Sequence, residues 1–408
     1  MTASLLKSRR LIRVGLLSPL ALLLGCQSHD QSTATAKTTA AAPVGTSWAL
    51  LNFTKADSAN PVLGPSAAGR FPDPILKQPT QWEDKDVFNP AVAVKDGKVV
   101  MLYRAENKPG KFAKTSRIGL ATSPDGLHFT RQAAPAFYPD NDAQKKYEWP
   151  GGTEDPRLVQ GADGTYYMTY TAFDGDKGAN INKARLHVAS SRDLRHWTKY
   201  GNVFAQAYGG KYVDKWTKSG SIVSRYEDDG RIVATKINGK YWMYWGDTQI
   251  WLATSDDLIH WTPLEMAAGE KPPVPLRSTA LTMPELKIIM TTREGKFDSD
   301  LVESGPPAML IDQGIRLIYN SKNQPAFGDK NLPAGTYAAG QALFDKNDPT
   351  KLLKRLDTYF LRPERPYETT GQVNQVVFLE GLVRFKGQWL LYYGTADSKI
   401  AVATRPVE

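Results

Sequence analysis

Residues 97–105 read GKVVMLYRA, and this pattern decides the fold because it returns four more times along the chain. Each copy begins with a glycine, continues as a β-branched or aromatic strand and ends in Tyr or Trp beside a small or polar residue. The other copies are GTYYMTYTA from Gly164, GKYWMYWGD from Gly239, GIRLIYNS from Gly314 and GQWLLYYGTA from Gly387. Their starts lie 67, 75, 75 and 73 residues apart. Such near-equal spacing indicates repeated structural units.

A second strand pattern follows three of these copies, as GLATSPDGLHFT, LHVASSRDLRHWT and IWLATSDDLIHWT, and the truncated form KIAVAT lies near the C-terminus. Each unit thus has two strands in hairpin order, with room for four, and no long amphipathic helix pattern interrupts the series. The sequence predicts an all-β fold, a five-bladed β-propeller over residues 46–408 in which the N-terminal stretch completes the last blade. A two-sheet β-sandwich is the alternative, but it does not predict five near-equal units.

The first 45 residues have the composition of a targeting segment followed by a linker. A basic start precedes the apolar run 16–24, which is too short to span a bilayer. The run ends in LLGC, which resembles a bacterial lipobox, so residues 1–26 are predicted to be a lipoprotein signal peptide with Cys26 as the lipidated residue. An ordinary secretory signal with a chance cysteine is the alternative. Residues 27–45 are rich in Ser, Thr and Ala and are predicted to be a flexible tether.

This interpretation places the protein in the bacterial cell envelope, lipid-anchored on the periplasmic side of the outer membrane or on the cell surface, with the lipid as its membrane contact. Cys26 is the only cysteine, so the mature fold has no disulfide and needs a large core. The net charge of +9 comes partly from the signal peptide. Because no Lys/Arg run with interleaved aromatic residues occurs, no nucleic acid partner is predicted.

Polar residues at or just beyond the ends of the repeated strands are candidates for a functional site. Four of them are Arg104 in LYRA, Asp247 in YWGD, Asn320 in IYNS and Asp397 in YYGTAD. In a propeller, equivalent positions of successive blades converge on the central axis. The alternative is that they are ordinary turn or surface residues.

Carboxylates in three further segments suggest acid–base chemistry. Glu154-Asp155-Pro156-Arg157 places two acids and an arginine between Gly and Pro residues, and a salt-bridged structural turn is an equally good interpretation. Glu303 precedes a Ser-Gly-Pro-Pro loop. Glu380 lies in the apolar run FLEGL, where burial would raise the pKa of a carboxyl group. A buried structural partner of an Arg or Lys is the alternative for Glu380.

The aromatic content suits sugar binding, because sugar rings present C–H faces to aromatic rings. Most aromatic residues of a propeller belong to the blade cores, so only some of the candidates are expected to touch a ligand: Trp149, Tyr170, Trp216, Trp245, Tyr319 and Tyr393.

Several motifs, in this order, resemble glycoside hydrolase family 130. They are VFNPA from Val87, LYRA with Arg104 fifteen residues after Asn89, EDPR from Glu154, the SxDLxxW repeats, GKYWMYWGD and YYGTAD. The likeness covers roughly residues 50–405. It implies a five-bladed propeller, activity on β-mannosides as a phosphorylase or a hydrolase, and no metal or organic cofactor.

The resemblance also implies roles for single residues. Asp155 matches the catalytic aspartate that delivers a proton to the glycosidic oxygen, in part through a sugar hydroxyl. Asn89, Arg104 and Asp397 match residues that hold the mannosyl unit. Further candidate substrate-binding residues are Arg157, Lys218, Tyr319, Asn320 and Glu380.

The chain departs from the phosphorylase pattern in two places. Phosphorylases typically read GxGxPP before the fourth-blade strand and YHG at its end, whereas this chain has ESGPP at 303–307 and YNS at 319–321. A carboxylate there would repel phosphate but could activate water. The pattern therefore favours an inverting hydrolase with Glu303 as the first choice of base, Asp247 as the second and Asp155 on the acid side.

Three functions stay open at this point. The first is an inverting hydrolase of β-mannosides, with β-1,2-linked manno-oligosaccharides as the expected substrate. The second is a mannoside phosphorylase that forms mannose 1-phosphate, which secretion disfavours because a sugar phosphate benefits a cell only in the cytoplasm. The third is a non-catalytic glycan-binding propeller, which would have no need of Asp155 or Glu303.

Overall fold

The computed structural model describes residues 46–108, 114–175, 183–272 and 282–407. The predicted signal peptide, Cys26 and the tether lie outside the described residues. Within those ranges the chain is almost entirely strand and turn, with two four-residue helices, α1 (Lys145–Glu148) and α2 (Pro366–Thr369), and one short 3-10 helix (Ala207–Gly210). The all-β prediction is confirmed. No helix in the described ranges is both long and apolar enough to cross a membrane.

The strands form five antiparallel units in chain order, after β1 (Thr54–Lys55) and the hairpin of β2 (Phe71–Asp73) and β3 (Gln78–Thr80). Unit 1 contains β4 (Asp86–Lys95), β5 (Lys98–Glu106), β6 (Ser116–Ser123) and β7 (Thr130–Arg131). Unit 2 contains β8 (Gly152–Gln160), β9 (Tyr166–Phe173), β10 (Ala184–Ser191) and β11 (Thr198–Asn202).

Unit 3 is the least regular of the five. Its antiparallel sheet contains β12 (Ser221–Ile222), β15 (Tyr241–Trp245), β16 (Ile250–Ser255), β17 (Trp261–Pro263) and β18 (Ile288–Met290). Between β12 and β15, the hairpin of β13 (Ser224–Tyr226) and β14 (Ile232–Ala234) joins units 4 and 2, because β13 pairs in parallel with β20 and β14 pairs in parallel with β8. Unit 4 contains β19 (Leu301–Ser304), β20 (Met309–Ile311), β21 (Gly314–Lys322), β22 (Tyr337–Phe344) and β23 (Leu352–Arg355). Unit 5 contains β24 (Val377–Phe385), β25 (Gln388–Thr395) and β26 (Lys399–Pro406). The five repeated sequence segments form β5, β9, β15, β21 and β25.

The N-terminal strand supplies the fourth strand of unit 5. In β1, Thr54 lies opposite Thr404 and Lys55 lies opposite Ala403 of β26. The resulting sheet has the order β1-β26-β25-β24. This pairing confirms the prediction that the N-terminal stretch completes the last unit.

Four units share a buried tyrosine–carboxylate–cation contact that links three parts of each unit. In unit 1, the hydroxyl of Tyr103 donates to Glu83 at 2.8 Å, and Arg131 of the outermost strand lies 2.8 Å from the same carboxylate. In unit 5 the corresponding residues are Tyr393 and Glu368, with Lys55 of β1 as the cation. The other two sets are Tyr170, Glu148 and Lys199 in unit 2, and Tyr319, Asp298 and Arg355 in unit 4. The tyrosine of the repeat is therefore a structural residue.

A glycine in the neighbouring strand makes room for this tyrosine in two units. Gly119 pairs with Tyr103, and a Cβ on Gly119 would lie only 2.3 Å from the tyrosine ring. Gly340 stands in the same relation to Tyr319. Any larger side chain at these glycines would displace the ring.

The second sequence pattern folds into the same turn in three units. After β6, the Oγ of Ser123 accepts from the backbone N–H of Gly126, and Asp125 accepts from the backbone N–H groups of Leu127 and His128. Equivalent contacts surround Asp193 and Asp257. Short polar side chains at such positions hold a tight turn, so this motif fixes the hairpin between the two outer strands.

The first strands of units 1, 2 and 5 lie against one another. β4 contacts both β8 and β24, and β24 also contacts β8. A short parallel pairing of Ser116 with Gly152 joins units 1 and 2. The innermost strands of these three units therefore meet, and polar residues on them are brought together.

Candidate active site

Each of these three first strands, β4, β8 and β24, carries a bulge, and each bulge is at a polar residue. Asn89, Asp155 and Glu380 interrupt the pairing register of β4, β8 and β24. The first two have φ values of 48° and 49°, a left-handed conformation that Asn and Asp adopt more readily than other residues with a side chain. A bulge turns a side chain out of the regular alternation of a strand. The bulges thus direct these three residues toward the place where the strands meet.

Asp155 is the most heavily contacted carboxylate of the site. Its Oδ1 accepts from Asn89 Nδ2 at 2.9 Å and from Arg104 Nη1 at 3.0 Å, while Lys218 Nζ lies 3.2 Å from Oδ2. Burial alone would raise the pKa of Asp155. The charges of Lys218 and Arg104 and the amide of Asn89 outweigh burial and hold this pKa well below its ordinary value. Asp155 is therefore ionised at neutral pH.

Arg104 bridges the carboxylates of units 1 and 2. Its Nη2 lies 2.9 Å from Glu106 and 2.8 Å from Glu154, and its Nε donates to the hydroxyl of Ser116 at 3.1 Å. Burial raises the pKa of Glu154 in spite of Arg104, and the negative charge of Asp155 adds to this rise. Of the two adjacent acids, Asp155 thus has a lowered pKa and Glu154 a raised one.

Arg157 makes contacts that fix the loop after Glu303. Its guanidinium donates to the backbone carbonyls of Ser304 and Gly305 at 2.7 and 3.0 Å, and it lies 3.1 Å from Glu380 Oε1. The Glu380 oxygens have no hydrogen bond of good geometry within the described residues, so the contact with Arg157 is mainly electrostatic. Burial raises the pKa of Glu380 well above its usual range. Arg157 is thus a positioning residue for the Glu303 loop.

Glu303 lies on β19 and is almost completely buried, at 4% exposure. The hydroxyl of Ser219 donates to its Oε1. Burial raises the pKa of Glu303 to about 7, and the negative charge of Asp247 contributes to the rise, while Lys218 opposes it. A carboxyl group with a pKa near neutrality can exchange protons at working pH, as general acid–base catalysis requires.

Lys218 connects the acids on both sides of the site. Burial disfavours its charge, but Asp155, Glu303, Glu154 and Asp247 together hold its pKa well above the ordinary value. We call these five residues, with Arg104 and Asp397, the Lys218 cluster.

Asp247 and Asp397 occupy the more accessible parts of the Lys218 cluster. Asp247 accepts from the indole N–H of Trp216 at 2.6 Å, so a half-buried aromatic ring stands beside this carboxylate. Asp397 follows Ala396 in a turn where both residues have positive φ. Burial raises the pKa of Asp397 to about 6, with Arg104 opposing and Asp155 adding to the rise. Both carboxylates are placed to meet a ligand.

Two of the predicted substrate-binding residues have other partners. Both polar atoms of the Asn320 amide are bonded to the backbone of Leu379, at 3.0 and 2.7 Å, so this side chain joins β21 to β24. The hydroxyl of Tyr319 lies between Asp298 and Arg355 in the core of unit 4. The structure therefore brings neither polar group to the Lys218 cluster.

The six aromatic candidates for sugar binding differ in how far they are buried. Tyr170, Trp245, Tyr319 and Tyr393 are completely buried in the unit cores, whereas Trp149 and Trp216 are only partly buried. Trp216 contacts Asp247, a carboxylate of the Lys218 cluster.

Some residues of the site have no distinctive sequence signal. Ser219 and Ser116 contact Glu303 and Glu154, but single serines in loops and strands are too common to stand out. Tyr337, at the start of β22, is close enough for the charges of Glu303 and Asp397 to add to the burial that raises its pKa. Its position depends on strand pairing between distant segments.

The arrangement can perform proton transfer and can bind several hydroxyl groups. Two carboxyl groups, Asp155 and Glu303, have pKa values displaced in opposite directions and share the cation of Lys218. Such a difference is typical of acid–base pairs. Among the described residues, no group of three or more His, Cys, Asp or Glu side chains is arranged to hold a metal ion.

Comparisons with known proteins show the family of the chain. The family model described as beta-1,4-mannooligosaccharide phosphorylase, Glyco_hydro_130, matches residues 70–408. A 1,2-beta-oligomannan phosphorylase from Thermoanaerobacter sp. is 31% identical over 338 residues, which cover 81% of this chain and 94% of that protein.

Solved structures are more similar in sequence. A glycoside hydrolase structure from Parabacteroides distasonis is 46% identical, covers 89% of this chain and 99% of that one, and has a TM-score of 0.81. A second structure was reported with the statement that the GH130 family of mannoside phosphorylases contains glycoside hydrolases that target beta-1,2 mannosidic linkages in Candida mannan. It is 46% identical to this chain, covers 88% of this chain and 96% of that one, and has a TM-score of 0.80. The protein belongs to glycoside hydrolase family 130.

Proposed function

We propose that this protein hydrolyses β-mannosides with inversion, that β-1,2-linked manno-oligosaccharides are its main substrates, and that it releases mannose. The observation that carries the proposal is Glu303, a buried carboxyl group with a pKa of about 7 beside Lys218. By the sequence resemblance, the phosphorylases of the family have a neutral residue at this point. Attack by water needs a base, and we assign that role to Glu303.

The charge balance of the site favours water over phosphate as the attacking group. Phosphate would have to approach the carboxylates of Glu303 and Asp247, which repel an anion. The cations that could offset this repulsion already have partners: Lys218 lies beside Asp155, Arg104 beside three carboxylates and Arg157 beside backbone carbonyls and Glu380.

In the proposed reaction, Glu303 takes a proton from water as the water attacks the anomeric carbon. Asp155 supplies the proton that the departing glycosidic oxygen needs, in part through a mannosyl hydroxyl. Asn89, Arg104 and Asp397 hold the mannosyl unit, and the two carboxyl groups need enough separation for the water, about 6.5–9.5 Å in inverting enzymes.

Before substrate binds, the single proton of this pair is on Glu303 rather than on Asp155. Glu303 is half protonated near pH 7, whereas Asp155 is ionised because Lys218, Arg104 and Asn89 surround it. Substrate hydroxyl groups that engage Lys218 or Arg104 would weaken their hold on Asp155 and let the proton pass to it. The reactive state is then the singly protonated pair, and its pKa values belong to the pair rather than to either residue.

The comparisons support the hydrolase over the phosphorylase by similarity. The structure reported with hydrolases of beta-1,2 mannosidic linkages is 46% identical to this chain, and the oligomannan phosphorylase is 31% identical. Phosphorolysis is the second candidate, because the relatives matched by sequence are phosphorylases and Lys218 and Arg104 supply positive charge.

We also propose that the five units close into a five-bladed propeller. Two observations support closure: β1 from the N-terminal end pairs with β26 from the C-terminal end, and β24 of unit 5 contacts β4 of unit 1. Gly394 supports the second contact, because a Cβ at this position would lie 2.5 Å from the Asn89 side chain.

The sequence supports a further proposal, that the protein is a lipoprotein anchored in the cell envelope through Cys26. The basic start, the short apolar run and the LLGC tetrapeptide carry this proposal. A hydrolase in that location releases mannose outside the cytoplasm, where a sugar phosphate would bring the cell no benefit.

Product stereochemistry tests the proposed reaction. β-1,2-Mannobiose incubated in phosphate-free buffer should release its non-reducing mannosyl unit as α-mannose. Proton NMR before mutarotation should therefore show α-mannose above its equilibrium share, because the reducing-end mannose is released as the equilibrium mixture of anomers. An initial excess of β-mannose over its equilibrium share would rule out inversion, and no cleavage of any β-mannoside would favour a binding protein.

A further inference from the structure

A second cavity, of about 330 Å³, lies at the opposite ends of the strands that carry the active-site residues. On β21, Asn320, which pairs with Glu303 of β19, is near the end and Arg316 near the start. On β24, Glu380 is near the start and Arg384 near the end. In each strand the two residues are four positions apart, a distance of about 13 Å in an extended chain. Arg316 and Arg384 line the cavity, so it is separate from the Lys218 cluster.

The lining of this cavity is cationic. Arg316, Arg384 and Arg405 all contribute to it, and none of its described lining residues is an Asp or Glu. Arg384 forms an ion pair with Asp228, whose side chain is 91% exposed. Positive charge thus faces the cavity, while the acid paired with Arg384 faces solvent.

Arg316 is a buried cation that has no acidic partner among the described residues. Its side chain belongs to a residue only 8% exposed, and no described carboxylate forms an ion pair with it. Its Nε donates to the Trp48 carbonyl at 2.7 Å and its Nη1 lies 3.2 Å from Met309 Sδ, which leaves further donors of the guanidinium unused. Burial and the nearby Arg405 lower its pKa to about 10. A buried cation without a counter-ion is unfavourable, and an anion in the cavity would relieve it.

The remaining walls suit a molecule that is partly apolar. The rings of Tyr226 and Trp389 lie 5.8 Å apart at the cavity, and the Arg384 guanidinium is 5.5 Å from the Trp389 ring. Ser47, close to the first described residue, also lines it.

We infer that this cavity binds a phosphate group carried by a larger molecule, held by Arg316 and Arg384 and packed on Trp389. Arginine binds phosphate oxygens in pairs, and guanidinium groups approaching from several directions suit a tetrahedral anion. The phosphate could belong to a soluble phosphorylated sugar or to a lipid headgroup. The inference goes beyond the proposed hydrolysis and does not depend on it.

The test uses inorganic phosphate as the probe and the full chain with Cys26→Ser, which carries no acyl chain. Calorimetry should show binding to one site per chain. Arg316→Gln should weaken it roughly tenfold or more, as loss of a charge-assisted contact does. Arg384→Gln should also weaken it, and this variant leaves the bond to Trp48 intact in case Arg316→Gln misfolds. The control Arg225→Gln removes an exposed arginine that pairs with Glu227, and should bind as the parent does.

Vesicles separate the two sources of phosphate. If a lipid is the ligand, vesicles of phosphatidylcholine with phosphatidylglycerol should retain more protein than phosphatidylcholine alone, and both cavity variants should abolish the difference. If a soluble molecule is the ligand, inorganic phosphate binds but the two vesicle types do not differ. Absence of phosphate binding by the parent chain, or equal affinity in the parent and both cavity variants, would overturn the inference. Mannoside cleavage should be unchanged in all three variants.

Discussion

The Nζ of Lys218 lies 3.2 Å from Oδ2 of Asp155, and this contact helps to keep Asp155 ionised while Glu303, within the field of the same lysine, has a pKa of about 7. Before substrate binds, the single proton of these two carboxyl groups is therefore on Glu303, the residue that acts on water in the proposed reaction. Binding of the mannoside has to move it, and the dependence of activity on pH follows from this starting state.

We expect kcat/KM to fall as the pH rises through about 7. The free enzyme needs one proton on the pair of Asp155 and Glu303, and Glu303 carries that proton. Because the pKa of Glu303 is raised to about 7, the proton is bound below pH 7 and lost above it. The depressed pKa of Asp155 places the second protonation step far below neutral pH. A pH–rate profile with a neutral mannobiose measures the decline, and activity that increases through pH 7 would contradict it.

Asp247→Asn should move this decline to lower pH. The charge of Asp247 raises the pKa of Glu303, so its removal lets Glu303 lose its proton earlier. The control is Asp256→Asn, which removes a largely exposed aspartate paired with Lys240 and should leave the profile in place. Complete loss of activity in Asp247→Asn would instead assign the water-activating role to Asp247.

Glu303→Gln should remove most turnover and preserve sugar binding. The amide keeps the shape of the side chain but cannot accept the proton of water, and loss of a general base typically costs about 10²–10⁴-fold in rate. Turnover and calorimetric binding of β-1,2-mannobiose measure the two effects. Asp300→Asn, on the partly exposed residue three positions earlier, is the matched control and should retain turnover. A Glu303→Gln enzyme with near-normal turnover would refute the assignment.

Lys55→Met should destabilise the whole domain. Lys55 lies 2.6 Å from the fully buried Glu368, and its removal leaves a buried carboxylate without its cation, which typically costs about 3–5 kcal/mol of unfolding free energy. The control, Arg365→Met, breaks the exposed pair with Asp57 and should cost less than about 1 kcal/mol. Urea unfolding measures both. If both variants lowered the free energy of unfolding by the same small amount, the Lys55–Glu368 contact would not be a major contribution of β1 to stability.

Cys26→Ser should release the protein from the membrane fraction or block its maturation, because stable attachment depends on the acyl chains. Cell fractionation followed by immunoblotting of the full chain measures this. Unchanged association of the variant with membranes would argue against the lipoprotein proposal.

The features that could be predicted from sequence are those that repeat or that use distinctive residues. The strand beginning at Gly97 recurs in each unit, so the five units and the pairing of the N-terminal strand were predictable. Asn89 and Asp155 each precede a proline, and the bulges formed there place both in the site, as the motifs VFNPA and EDPR imply.

The contacts that could not be predicted depend on backbone atoms or on pairing between distant segments. Arg157 binds the carbonyls of Ser304 and Gly305, and Asn320 binds the backbone of Leu379, which no side-chain pattern records. Tyr319 resembles a sugar-binding aromatic residue in sequence, but its carboxylate partner Asp298 comes from a segment with no recognisable motif.

The most direct test of the central claim is the product formed from β-1,2-mannobiose with and without inorganic phosphate. We expect free mannose at the same rate in both conditions and no mannose 1-phosphate, because Glu303 activates water and, with Asp247, repels the phosphate dianion. Glu303→Gln should stop mannose release in both. Cleavage that requires phosphate and yields mannose 1-phosphate would contradict the account and identify the protein as a phosphorylase.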